Sequence, residues 1–174
     1  MRASHIVGIG LLGIGVASYL VIKNLSFAAD QPHSQTVYKG IELIREYSIR
    51  SQSKSIEAPK NLDANERIRR SSGNYDAMCA SCHLKPGVDK SELSVGLYPA
   101  PPNLSKERQH ADPARDFWII KHGVKGSGMP SWGEVGLTDD ETWDLVAFVR
   151  ALPQMNRQDY SNAIKKGMGH HHSH

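Results

Sequence analysis

The chemistry open to this chain is concentrated in Cys79-Ala80-Ser81-Cys82-His83. Two cysteines three apart, followed at once by a histidine, form the pattern that attaches a c-type haem. Thiols at that spacing can add to the two vinyl groups of one porphyrin edge, and the next residue's imidazole then lies beneath the iron. Cys79 and Cys82 are the only cysteines in the chain, so no third thiol competes for another pairing. A redox dithiol and half of a zinc site are the other chemistries open to such a pair. A dithiol of the thioredoxin kind needs a βαβ context, and none of the flanking sequence reads as parallel strands. Zinc needs a second pair of ligands at matching spacing, and there is no second cysteine pair. The motif occurs once, so one covalent haem is expected.

A haem with His83 on one side requires a decision about its sixth ligand. Gly126-Ser127-Gly128-Met129-Pro130-Ser131-Trp132 places a methionine in an irregular, glycine-flanked stretch stiffened by a proline. A thioether there can reach the iron, although a methionine in a loop also serves to fill irregular gaps. Met129 is therefore the leading sixth ligand, with His110 and His122 as the other candidates. Met78 lies too close to the motif, and Met155 lies past the last expected helix. His122 reads as a helix-end residue facing water or a carbonyl.

The elements that must position these groups read as helices. Asp63 is expected to cap a helix with Glu66 at its third position, running through Ile68, Tyr75 and Met78 into the haem motif and interrupted by Gly73. That glycine suggests close approach of another helix, expected near the C-terminus. Thr138-Asp139-Asp140-Glu141 is a capping-box pattern, followed by Trp143, Val146, Ala147 and Arg150 and stopped by Pro153. Between these helices, Leu84 to Asn103 is rich in Pro and Gly and reads as ordered loop. Asp112-Pro113 starts another helix that passes through Phe117, Trp118, Ile119 and Ile120 to His122-Gly123.

At 174 residues, with 39% hydrophobic and 22% charged positions, the chain has room for one domain plus appendages. The formal net charge of +3 points to no nucleic-acid partner. No phosphate-binding glycine loop, nucleophile elbow, paired-carboxylate site or internal repeat is present. Residues 1–29 are expected to be a secretory signal or an N-terminal membrane anchor. Arg2 and His5 precede an apolar run from Ile6 to Ile22, and small residues surround Ala28 and Ala29. As a helix the run would be roughly 25 Å long, the short limit for crossing a bilayer, so both readings stand. Either one exports the rest, to a bacterial periplasm or the periplasmic face of the inner membrane. Residues 30–62 are expected to be a stalk, with an amphipathic helix from Tyr38 to Arg50 carrying Ile41, Ile44 and Ile49, and a linker ending near Pro59. Residues 63–156 are the expected haem domain, and 157–174 a His-rich tail. In that tail His170, His171, His172 and His174 can bind copper, nickel or zinc, or can be a purification remnant.

From about Asn61 to Asn156 the sequence resembles class I c-type cytochromes, particularly the small domains in cytochrome subunits of periplasmic dehydrogenases and haem-copper oxidases. The matching residues are Gly73, Tyr75, the Cys79 to His83 motif, Pro101-Pro102-Asn103-Leu104, Gly128-Met129-Pro130-Ser131-Trp132, and Leu137-Thr138-Asp139-Asp140-Glu141 leading into Trp143. The resemblance implies an all-α class I cytochrome c fold around one haem c. Thioether links from Cys79 and Cys82, axial ligation by His83 and Met129, and haem surroundings that include Pro101, Pro102 and Trp132 follow from it. It also implies that a carbonyl between Pro99 and Pro102 accepts the His83 imidazole N–H, fixing that ring. A His/Met iron has no open position, so the expected role is outer-sphere transfer of single electrons between respiratory or periplasmic redox proteins, not catalysis. The alternatives are a haem subunit of an exported oxidoreductase complex, a role in copper or metal handling through the tail, and, should Met129 not bind, a haem enzyme or gas sensor.

Overall fold

The computed structural model describes residues 12–16, 18–20, 22–23, 26–106 and 112–167. The chain divides into two compact units, Met1–Pro32 and His33–His174. In the first unit the described residues from 12 to 23 are helical, and a turn closes where the Gln31 N–H donates to the Ala28 carbonyl at 3.1 Å. No helix among the described residues is long and apolar enough to cross a membrane.

Every regular element described in the second unit is helical. Helix α1 is Gln35–Ser53, α2 Asn65–Asn74, α3 Ala80–His83 and α4 Glu92–Gly96, followed by α5 Pro113–His122, α6 Asp139–Ala151 and α7 Arg157–Lys166. A π-helical turn, Tyr75–Cys79, joins α2 to α3, and a 3₁₀ turn, Leu152–Gln154, follows α6. Local chemistry starts and stops these helices where backbone groups lack intrahelical partners. The Thr138 side chain accepts from the Glu141 N–H while Glu141 reaches back to the Thr138 N–H at 2.9 Å. Asp112 accepts from the Ala114 N–H at 3.0 Å, Pro113 sits at the first position of α5, and Gly123 ends it at φ 67°.

Helix α6 lies at the centre, with every residue from Thr142 to Val149 buried. It packs on α2 and α5, and Phe117 stacks on Trp143 at 4.3 Å between ring centroids. Leu145, Val146, Phe148 and Leu152 are at most 1% exposed. Each such side chain contributes about 1.5–3 kcal/mol through removal from water. The α2–α6 contact is polar at one end. Asp144 of α6 is buried between Arg67 (2.6 Å) and Arg70 (2.7 Å), and the Ser71 hydroxyl donates to the Asp144 carbonyl at 2.7 Å. Burial pulls the Arg67 pKa down, and its hydrogen bonds to Asp140 and Asp144 reverse the effect, leaving it raised.

Several expectations are corrected here. Asp63 lies in a turn, and α2 begins after Ala64 with no side-chain cap. Gly73 does not interrupt α2, which passes through it; the α-helical pattern changes only at the π turn that begins at Tyr75. The stretch from Leu84 to Asn103 is not all loop, because Ser91 and Ser94 form a capping box that starts α4. Met155 does not follow the last helix. Asn156 and Asp159 cap α7, whose Tyr160 donates to Asp76 Oδ1 at 2.8 Å and so holds residues 157–166 against the base of the haem motif.

The helix expected as a stalk belongs to the second unit. Helix α1 runs beyond the expected Tyr38–Arg50 and takes in Ser51 to Ser53 of the supposed linker, with Ser53 1% exposed. It packs on α5, where Arg115 makes a two-pronged ion pair with Glu46 (2.8 Å to each carboxylate oxygen). Its orientation reverses the usual amphipathic arrangement. Ile49 is buried, but Ile41 and Ile44 are 49% and 71% exposed, and Val37, Leu43 and Tyr47 share that outward side.

Candidate functional site

The π turn and α3 carry the two cysteines and the histidine to one wall of a cavity of about 740 Å³. That lies within the ~300–1,000 Å³ range of sites that enclose a small molecule. Cys79, Cys82 and His83 line it, and so do Met129, Pro101, Pro102 and Trp132, all read from the sequence as candidates. His122 is exposed at the end of α5, its ring against Trp118 at 5.1 Å, and does not line the cavity. His110, His170, His171, His172 and His174 lie outside the described residues. Among the described residues no group of three or more His, Cys, Asp or Glu is placed to hold a metal ion.

The chain turns sharply after His83. Leu84, buried at 4% exposure, has φ 66°, a left-handed conformation unfavourable for a residue with a Cβ. The Tyr75 hydroxyl, fully buried against Phe148, donates to the Leu84 carbonyl at 2.7 Å and holds the turn. Burial raises the Tyr75 pKa, so its hydroxyl remains a donor. His83 is secured on its other side by the proline-rich stretch. Its carbonyl accepts from the Leu104 N–H at 3.1 Å, and its Nδ1 lies 3.0 Å from the Pro102 carbonyl oxygen. A carbonyl only accepts, so Nδ1 carries the hydrogen and the ring lone pair resides on Nε2. The hydrogen bond also makes the imidazole a stronger base.

Met129 reaches the cavity from a loop fastened to the end of α5. The Ile120 and Lys121 carbonyls, orphaned at the helix terminus, accept from the Trp132 and Gly133 N–H groups at 3.2 and 3.0 Å, and the Ser131 hydroxyl donates to Lys121 at 2.8 Å. The Met129 carbonyl accepts from the Val124 N–H at 3.1 Å. A side chain at Gly123 would meet the Pro130 backbone at 2.6 Å, and one at Gly128 the Leu97 side chain at 2.7 Å. Both glycines permit approaches that place the loop.

The cavity wall is divided in character. Met78, Leu97, Leu104, Ile119, Val124, Leu145 and Val149 form an apolar part, and Arg45, Glu46, Arg115 and Asp116 stand on the side formed by α1 and α5. Burial pushes the Cys79 thiol up to about 12, with the neighbouring Cys82 adding to the effect, so as a thiol it stays protonated at neutral pH. Burial also pushes the Asp116 carboxyl up to about 6, against the pull of Arg115 and Arg150. Its Oδ2 is buried with no hydrogen-bond partner among the described residues. A large apolar slot with two thiols and an imidazole on one wall, a thioether and carboxylate-binding guanidinium groups fits a haem.

Sequence reading missed the polar side of this cavity. Helix α1 and Arg115 carry ordinary surface-type charges, and only their packing brings them to the cavity. Residues 66–149 match the family model described as cytochrome C oxidase, cbb3-type, subunit III, and that stretch is similar to this family. No curated protein matches the chain.

Proposed function

We propose, from the premise that residues 66–149 are a class I c-type cytochrome domain, that this chain is an exported monohaem electron carrier. In this reading Cys79 and Cys82 hold the haem covalently, and His83 and Met129 are its axial ligands. The observation that carries it is the cavity itself, which brings the CxxCH motif and Met129 to one apolar slot. Bound haem supplies a one-electron couple at its iron, and a methionine ligand raises its potential. The protein's residues do the rest. The Pro102 carbonyl orients His83, the loop fastened to α5 presents Met129, and the apolar wall excludes water. The redox partners are proteins that meet an exposed haem edge through a small, transient interface. The compartment proposed is a bacterial periplasm, with residues 1–29 as signal or anchor. The cytochrome domain calls for haem c and lends no support to copper at the tail.

The test is an optical and near-infrared spectrum of the oxidised and reduced holoprotein beside Met129→Ala. A c-type spectrum with a methionine-to-iron charge-transfer band, lost in the variant, is the expected result. A wild type that lacks the band and binds carbon monoxide readily when reduced has an open sixth position, and the carrier reading then gives way to catalysis or sensing.

A second reading, a fixed haem subunit of an exported oxidoreductase complex, is favoured by the outward apolar side of α1, with Leu43, Ile44 and Tyr47 71–76% exposed. Large apolar side chains grouped on one exposed helix side are a mark of an interaction site when they form a contiguous patch. Ile44→Glu together with Tyr47→Glu is expected to abolish co-purification with a complex while leaving the haem spectrum intact.

A further inference from the structure

Haem is not uniformly apolar: one edge of the macrocycle carries two carboxylate side chains, and a buried carboxylate needs charged donors. The polar side of the cavity supplies them from outside the matched cytochrome stretch as well as within it. Arg45 of α1 lines the cavity, and its ion pairs with Glu42 and Glu46, at 3.7 and 3.6 Å, are too long for hydrogen bonds. Arg115 of α5 spends Nε and Nη2 on Glu46, while its Nη1 lies 3.9 Å from Asp116 Oδ1, again beyond hydrogen-bonding distance. Two guanidinium groups therefore have donor edges uncommitted to these neighbours. Asp116 is 7% exposed, lines the same wall, and holds a buried Oδ2 with no hydrogen-bond partner among the described residues. A buried polar atom without a partner costs about 1–3 kcal/mol, so its occurrence beside a ligand cavity calls for a ligand group.

We propose that this α1–α5 wall is the subsite for the haem's two carboxylates, with Arg45 and Arg115 donating to them and Asp116, in its protonated form, sharing a hydrogen bond with one. The assignment rests on the haem reading above and adds to it a function for α1: the helix closes the carboxylate edge of the haem. Glu46 is then a positioning residue, holding the Arg115 guanidinium by two of its nitrogens and leaving Nη1 for a haem carboxylate. The charged groups around Asp116 are Arg115 on its own helix, Asp112 at that helix's start, Arg150 from α6, and Glu46 and Arg50 from α1. Arg115 and Arg150 favour the ionised carboxylate, whereas burial and Asp112 oppose it.

Reducing the iron adds one negative charge to the cavity and raises the proton affinity of carboxylates beside it. The full-length holoprotein is titrated electrochemically from pH 5 to 9 beside Arg45→Gln, Asp116→Asn and the remote surface variant Arg69→Gln. The wild-type potential is expected to fall with pH, by at most about 59 mV per tenfold change in proton concentration for one electron and one proton. Arg45→Gln is expected to shift the pH step upward, because a carboxylate that loses its cationic donor holds its proton more tightly. Asp116→Asn is expected to diminish the step, and Arg69→Gln to leave it in place. Arg45 is accessible and makes no hydrogen bond to Glu42 or Glu46, so its variant decides the question if Asp116→Asn does not fold. Curves for Arg45→Gln and Asp116→Asn that superimpose on the wild type, with the c-type spectrum retained, overturn the subsite alone. Absence of any c-type spectrum in the wild type overturns the haem reading and the subsite together.

Discussion

Removing the Asp144 carboxylate tests the account of the α2–α6 contact most sharply. Asp144 is 4% exposed and Arg67 7%, with Nη1 2.6 Å from Oδ1, whereas Arg70 is partly exposed and reaches both carboxylate oxygens at 2.7 and 2.8 Å. In Asp144→Leu the two arginines fare differently. Arg70 can turn to water, but Arg67 stays buried with only Asp140, at 2.9 Å and itself 66% exposed on its side chain, to balance it. Breaking one partner of a buried pair costs about 3–5 kcal/mol, and the residual Asp140 contact puts this case near 3. For a chain of this length each kcal/mol moves the Tm by roughly 2–4 °C, so a fall of about 6–12 °C is expected. Arg67→Met should cost less, because Asp144 keeps its paired bonds to Arg70. The double variant should lose well under the sum of the two single losses, since no buried charge is left behind. The assay is thermal unfolding of the holoprotein followed by far-ultraviolet circular dichroism. Asp144→Leu losing under about 1 kcal/mol, or Arg67→Met losing more than Asp144→Leu, refutes the reasoning, because the charges would then be effectively solvated.

Three further outcomes follow from the same geometry. Tyr75→Phe leaves the buried Leu84 carbonyl without its 2.7 Å donor and should lower stability by about 1–3 kcal/mol in urea titration, with the turn after His83 the first region to lose amide-exchange protection. Gly123→Ala places a Cβ 2.6 Å from the Pro130 backbone at φ +67°, so the Met129 loop must shift; on the proposed His83/Met129 ligation, the methionine charge-transfer band should weaken while the reduced haem bands persist. Asp116 binds its proton more tightly folded than unfolded, its pKa raised from 3.8 to about 6. Its stabilising contribution is therefore full below pH 4 and is lost as pH rises to about 6, on the order of 3 kcal/mol in all. Asp116→Asn should gain stability relative to wild type over that window, and parallel urea midpoints from pH 4 to 7 check it.

The parts of the site legible in the sequence are those whose chemistry is local. Cys79, Cys82 and His83 are recognisable because attachment of a haem edge demands that spacing within five residues, whatever surrounds them. Asp112-Pro113, His122-Gly123 and Thr138 to Glu141 mark helix ends because unpaired backbone groups are satisfied within one turn. The same kind of signal was present and overlooked at Ser91 with Ser94, which starts α4, and at Asn156 with Asp159, which starts α7. Met129 was legible as the leading candidate for a sixth ligand, but the placing of its loop was not, because bonds to Ile120 and Lys121 set it.

What the amino-acid sequence determined by itself was the helical grammar and a five-residue pattern with the spacing that covalent haem attachment requires, both set by features spanning a few residues. Tertiary structure alone decided which face each helix shows to its neighbours. Ile41, Ile44 and Ile49 formed the expected apolar stripe of a stalk helix, yet α1 turns Arg45, Glu46 and Ile49 inward and leaves Ile41 and Ile44 outside, because Arg115 of α5 holds Glu46 across a separation of 69 residues. Packing likewise buried Asp116 and enclosed Asp144 between two arginines. An aspartate's proton affinity and its worth to the fold are properties of the dielectric and partners around it, and only the folded chain supplies those.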